Sequence, residues 1–175
     1  MAWFGRRKDA ESESASASEP VEEPELASAG DQLIDDGESL RPVVKRIGGD
    51  EQARIDAALG ALEAEGVDIA DLDSLSAGLD AAYVAWAAGV EADRPDHAAI
   101  VERYAIGIGA HLERTTDLDW QVVTDVFGTD LSLTEGFKGS FVVVPHNLVA
   151  GRWMRGETGW IPAVVGHIVR RRTRR

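Results

Sequence analysis

Between residues 50 and 114 the apolar residues recur at intervals of three and four, and after Thr116 they recur at every second position. The first spacing predicts helices that bury one face, and the second predicts strands. Asp50 is placed to cap "EQARIDAALGALEAEG", with Ile55, Leu59 and Leu62 on one face and Gly66 as the stop. Asp73 or Ser74 opens "LSAGLDAAYVAWAAG", where Leu75, Leu79, Ala82 and Trp86 share a face and Gly89 ends it. A third helix is expected from near Pro95 to about Arg114. Its stripe is His97, Ile100, Val101, Tyr104, Ile108, His111 and Leu112.

In "WQVVTDV" the alternation places Trp120, Val122, Thr124 and Val126 on one face. "FGTD" reads as a hairpin turn, "LSLT" as a second strand, "EGFKG" as a loop and "SFVVVP" as a third strand. Helix is expected again over His146–Arg155, with Asn147 as a cap candidate, and over Ile161–Arg172, where Pro162 fits the first turn. The expected fold is therefore α+β: three N-terminal helices, a three-stranded antiparallel meander, and one or two C-terminal helices, with the sheet covered on one face.

The segments outside this pattern divide the chain. Residues 1–30, with "ESESASASEPVEEPEL", are acidic and almost devoid of large apolar residues, which predicts a disordered tail. Residues 31–48 form a junction whose Leu33, Ile34, Leu40, Val43, Val44 and Ile47 suggest packing on the domain, while Pro42 and Gly48–Gly49 argue against a long element there. A single domain is expected over 49–169 and a basic tail over 170–175.

Charge sharpens that division. The net charge of −13 combines an acidic body with an arginine-rich end, "RRRTRR". An acidic body repels polyanions, which argues against general nucleic-acid binding, whereas the basic ends attract nucleic acid and anionic lipid. The chain has no cysteine, so disulfides, thiolate metal sites and thiol nucleophiles are excluded. Its longest nearly apolar run, Ala81–Val90, is about half of what a spanning helix needs. No apolar core follows Arg6, Arg7 and Lys8, so no signal peptide is read and a cytoplasmic location is expected. Fifteen arginines against three lysines point to a GC-rich bacterial source.

The residues that might carry chemistry are few. His97 and His111 lie on one helix face but roughly 21 Å apart along it, too far to share a metal ion. Asp117, Asp119, Asp125 and Asp130 lack a calcium-loop pattern and read as a solvated rim. Ser140 lacks a nucleophile elbow. "GIG" at 107–109 falls inside a helix, where its glycines would let a neighbouring element approach closely. No metal and no cofactor is expected.

That leaves "VVVPHNLVAGRWMRGETGW". His146 and Asn147 stand at a strand end, where functional side chains often occur. Arg152, Arg155 and Trp160 follow, with Trp153 beside them, and Arg and Trp are enriched at binding hot spots. The alternative is that both indoles plug the core while the arginines pair with the acidic body.

Tyr104…Gly107, Trp120-Gln121-Val122, Asp125, Gly128, Val144-Pro145, Val149, Arg152 and Gly156-Glu157 resemble a small bacterial family, of actinobacterial type, defined only as a domain of unknown function. The resemblance covers roughly residues 95–170. It departs at Gly151-Arg152, where a basic pair is expected; it implies the α+β fold and offers no activity to carry over.

The function expected is that of a non-enzymatic protein-interaction domain using His146, Asn147, Arg152, Arg155 and Trp160. The alternative is a peripheral adaptor that meets anionic lipid or nucleic acid through its basic ends, including Arg170, Arg171, Arg172, Arg174 and Arg175. A small enzyme using His146 ranks third.

Overall fold

The computed structural model describes residues 42–91, 94, 96–126, 128–136 and 141–173. All of them belong to one compact unit, Asp36–Arg175. The tail expected at 1–30 and residues 31–41 of the junction lie outside the described residues.

The first element among the described residues is a strand, β1 (Val43–Arg46), within the stretch expected to hold no long regular element. It pairs antiparallel with β2 (Asp119–Asp125), from Val43↔Thr124 to Arg46↔Gln121. The sheet therefore has four strands, not three, in the order β1-β2-β3-β4. Val43–Arg46, in the junction expected to pack on the domain, is thus part of its sheet. β1 is a short edge strand bearing Lys45 and Arg46, residue types that discourage further edge pairing.

Three helices follow: α1 (Gly49–Ala64), α2 (Leu72–Ala88) and α3 (His97–Thr115). The cap of α1 is Gly48, not Asp50, and its N–H is taken by Glu51 Oε2 at 2.7 Å. α2 is capped by Asp71, whose side chain accepts from the Asp73 N–H at 3.0 Å. Ser74, one of the two expected caps, instead accepts from the Asp68 N–H at 2.9 Å. Several cap-type residues in a row make the position ambiguous from sequence. Gly66 follows α1 with a φ of 75°. There the Val67 N–H reaches Leu62 O and the Gly66 N–H reaches Glu63 O, the paired closure that a left-handed glycine allows.

α3 is the centre of the molecule. Val101, Tyr104, Ile108, His111 and Leu112 are buried as the stripe predicts, and so are Ala105, Ile106, Gly107, Gly109 and Ala110 on its other faces. Its two glycines explain how. A Cβ on Gly107 would stand 2.6 Å from Leu62 Cδ1 and 3.1 Å from Leu75 Cδ2. One on Gly109 would stand 2.1 Å from Trp120 Cη2. Positions two apart on a helix face nearly opposite ways. "GIG" thus admits α1 and α2 on one side and the sheet on the other.

β2 and β3 (Gly128–Thr134) pair from Asp119↔Thr134 to Asp125↔Gly128. Gly128, Thr129 and Asp130, expected within the turn at 127–130, are therefore already part of β3. Val126, grouped by the alternation with Trp120, Val122 and Thr124, lies past the end of β2 and is exposed. Trp120 and Leu133, directly opposite in the register, are both buried. On the other face Gln121, Val123, Ser132 and Thr134 are buried too, so the alternation does not separate a covered face from a wet one.

The third expected strand shrinks to β4 (Val142–Val143), because Pro145 opens the next helix, α4 (Pro145–Trp153). Proline has no N–H to lose at a first helical position and its φ is already helical. Val144 is consequently the cap, and Asn147 sits inside the first turn instead of capping. Gly156, with a φ of 64°, closes the far end through Glu157 N–H to Arg152 O and Gly156 N–H to Trp153 O. The last helix, α5 (Ile161–Arg172), has Pro162 in its first turn as expected.

Candidate functional site: a trough between α2 and α3

α2 buries Leu75, Ser76 and Leu79. Its exposed positions after Asp73 are Ala77, Ala81, Val84, Ala85 and Ala88, and Gly89 and Val90 continue the exposed run beyond the helix end. None carries a charge or a side-chain hydrogen-bonding group. Val84 is 61% exposed and Val90 70%. The one acid within this stretch, Asp80, is half-buried and accepts the Gly159 N–H at 2.9 Å. Surface helices ordinarily turn charged residues outward, and this one does not.

That face forms one wall of a trough of about 540 Å³. Gly78, Ala81, Ala82 and Ala85 supply the wall, and Trp86, Ile100 and Tyr104 supply the larger apolar surfaces. Gly78 is required by the packing: a Cβ there would stand 2.8 Å from Tyr104 Oη and 2.9 Å from Val67 Cγ2. At one end Arg103 pairs with Glu65, and the Tyr104 hydroxyl faces the same carboxylate at 3.4 Å. Burial pushes the Tyr104 phenol up from its ordinary range, against the opposing influence of the Arg103 charge. At the other end Arg94 lies over the Trp86 ring at 4.8 Å, and donates to Gly89 O at 3.0 Å and Ala87 O at 2.8 Å. A guanidinium there satisfies carbonyls at the negative end of α2.

The expected site residues lie behind and beside this trough. Trp153 is 5% exposed, and its ring meets Tyr83 edge-on at 5.0 Å, Trp86 at 5.4 Å and the stacked His97 at 6.3 Å. Trp160 is 8% exposed under Arg152, whose guanidinium stands 4.5 Å above the ring. The indole N–H groups of both rings are buried without a protein acceptor, so ring contacts hold them in place. Arg152 also donates to Leu148 O at 3.1 Å and lies 3.6 Å from Glu157. Arg155 donates to Glu157 at 2.5 Å, and that hydrogen bond holds the Glu157 carboxyl below the usual carboxylate range. Arg152, Arg155 and Trp160 are thus gathered at one end of α4 by an acid, and both indoles plug the core. His146 and Asn147 are exposed at the other end, with His146 about 13 Å of helical rise from Arg155. One patch does not contain all five.

No protein-family model, curated protein or solved structure matches the chain. The site therefore rests on its own geometry.

The remaining candidates are placed as follows. His111 is buried and its Nδ1–H donates to Ile69 O at 2.8 Å, a packing role. Asp117 accepts from Arg172 at 3.1 Å. Among the described residues no three histidine or carboxylate side chains are placed to hold a metal ion, and no helix is long and apolar enough to cross a membrane. The basic tail expected from 170 begins inside α5. Arg170 and Arg171 are exposed, but Arg172 turns inward to Asp117 and Glu135 and lies 4.9 Å from the Phe141 ring centre. Arg174 and Arg175 lie outside the described residues.

The trough is not among the sites expected from sequence. Its signal in the sequence is the run Ala81–Val90, too short to span a membrane and uncharged on its exposed side.

Proposed function

We propose that this protein is a non-enzymatic interaction module that takes an apolar helical segment of a partner protein into the α2–α3 trough. The observation that carries the reading is the exposed face of α2, which from Ala77 to Ala88 offers no charge to water. Helix-in-groove recognition needs an apolar channel, and small wall residues let the incoming backbone approach closely. From Gly78 to Val90 the wall extends about 18 Å, room for roughly three turns of a partner helix. Trp153 and Tyr83 stand behind Trp86, so the Arg/Trp turn acts as the buttress of the site instead of its surface.

Comparison with the cleft beside His146 favours binding over catalysis. That cleft is lined by Arg54, Glu102, Asp130 and His146, but it holds only about 40 Å³, and Arg54 and Glu102 are paired at 2.7 Å. Such a volume admits a water molecule and not a substrate.

A photo-crosslinking residue placed at Ala85, with the same residue at Ala57 on the outer face of α1 as control, tests the reading in cells. Mass spectrometry should find an amphipathic helical segment of another protein joined to position 85 and not to 57. Equal crosslinking from both positions, or none from 85, would remove the trough as a docking site.

A further inference from the structure

A second groove lies on the outer side of α1. Asp56, Leu59, Gly60 and Glu63 form one of its walls, Val67, Asp68 and Ile69 of the α1–α2 loop form the other, and it measures about 560 Å³. Leu59, Val67 and Ile69 are half-buried, so the floor is apolar. The rim carries three carboxylates and no cation. Asp56 accepts from Gln52 Nε2 at 2.9 Å, and Asp68 accepts from the Ala70 N–H at 2.8 Å. Both partners are neutral, and Glu63 is exposed on the surface of α1.

The complementary surface is on the same chain. His167, Arg170 and Arg171 are exposed on α5 at spacings that put them on one helix face. Arg172 beside them is paired to Asp117 and Glu135, whereas among the described residues Arg170 and Arg171 have no ion-pair partner. Arginine can lay its aliphatic stem along an apolar floor while its guanidinium reaches a carboxylate rim. Three uncompensated acids around an apolar channel, and two uncompensated arginines on a helix face, are a matched pair.

We infer that the α5 arginine face of one copy docks into the acidic α1 groove of a second copy, a groove that has Val67 in common with the lining of the α2–α3 trough. The two patches differ, so each contact is head-to-tail; a reciprocal pair of such contacts closes a dimer, and a non-reciprocal one builds a ring or an open series. The net charge of −13 opposes approach at long range. At physiological salt, however, the screening length is about 8 Å, so the local match decides the contact.

Sedimentation velocity over a series of protein concentrations tests this on the full chain. Wild type should form species larger than the monomer. Arg170→Glu/Arg171→Glu and Asp56→Lys/Glu63→Lys should each weaken association roughly tenfold or more, since like charges then face each other. All four positions are exposed, and Asp68 is left intact because it holds its turn. Mixing the two reversed proteins should restore the large species, because each then offers the other a matched surface. A wild type that sediments as a monomer throughout overturns the inference, as does a mixture that stays dissociated. Binding of phosphatidylserine vesicles through Arg170 and Arg171, with no self-association, would do so too and would assign the arginine face to lipid.

Discussion

α1 and α2 are nearly equal in length, and both rest on α3 around Gly107, where Leu62 of one helix and Leu75 of the other meet. Both outer faces expose small residues, Ala53, Ala57 and Ala64 on α1 among them, but only α1 intersperses charged and polar ones beyond its first turn. α1 exposes Asp50, Gln52, Arg54, Asp56 and Glu63, with Gln52 bonded to Asp56 one turn on and Arg54 bonded to Glu102 of α3. α2 exposes Ala77, Ala81, Val84, Ala85 and Ala88. Core packing requires only that one stripe of each helix be apolar, and both helices satisfy it. What the outer face carries is free to follow another requirement. On α1 it carries charge, which suits water and the arginine face proposed to dock there, and on α2 we attribute its absence to an apolar partner.

The largest effects should come from beneath the two faces. Leu62→Ala, under α1, should cost about 2–5 kcal/mol, and Trp153→Ala, behind α2, about 3–5 kcal/mol, since both side chains are buried. Chemical denaturation measures this. The difference appears in docking under conditions where both variants stay folded. Only Trp153→Ala removes the ring against which Trp86 and Tyr83 lean, so only it should weaken partner binding. If Leu62→Ala weakens binding equally, the trough is not a distinct site.

Charging the faces themselves is the more selective test. Ala57→Glu and Ala85→Glu each place a carboxylate at an exposed helical position, and neither should move stability by more than about half a kcal/mol. For the partner identified by crosslinking, Ala85→Glu should weaken binding by about tenfold, or about 1.4 kcal/mol, while Ala57→Glu leaves it unchanged. Calorimetric titration reads both. Equal affinities for the two variants would break the contrast between the helices.

This contrast also marks where the chain could be read and where it could not. Helix periodicity located α1, α2, α3 and α5, because repeating apolar spacing is a local property. β1 escaped, since Val43–Arg46 has its partner in β2 across three intervening helices, and four residues with two cations carry little strand signal. The start of α4 was displaced because Asn147 has the chemistry of a cap, yet the fixed φ of Pro145 decides the position two residues earlier. Trp153 and Trp160 were legible as a pair beside arginines, but sequence spacing could not say whether the rings face water. The trough is formed by α2 against α3, and no pattern within one helix reveals the space between two.

The helix starts provide a smaller comparison. Asp71→Ala removes the cap of α2, and Glu51→Ala removes the carboxylate that holds the Gly48 N–H of α1. Each should cost about 1 kcal/mol, measured as a shift in the denaturation midpoint. Hydrogen exchange should then show faster opening confined to the first turn of the affected helix. Loss of protection along the whole of α2 in Asp71→Ala would mean that its uncharged outer face leaves it dependent on the cap in a way α1 is not.

The smallest effect at neutral pH belongs to Tyr104, which stands where the two helices converge. Its ring is buried, its hydroxyl is near Glu65 at the end of α1, and it fills the space left by Gly78 on α2. The hydroxyl lies 3.4 Å from the carboxylate, a long and weak hydrogen bond. Tyr104→Phe should therefore change stability by less than about 1 kcal/mol at pH 7, keeping the ring and losing one weak contact. The pH dependence separates the contributions. Burial raises the folded-state pKa of the phenol above its unfolded value. Folding thus favours the neutral form, and the associated stabilisation is complete below the unfolded pKa and lost as the pH rises through the folded one. Phenylalanine has no proton to lose. Thermal melts from pH 7 into the alkaline range should show the variant gaining on the wild type as the phenol begins to ionise. A constant difference across that range would mean that the Tyr104 hydroxyl reaches water, and that the trough end between Glu65 and Arg103 is open.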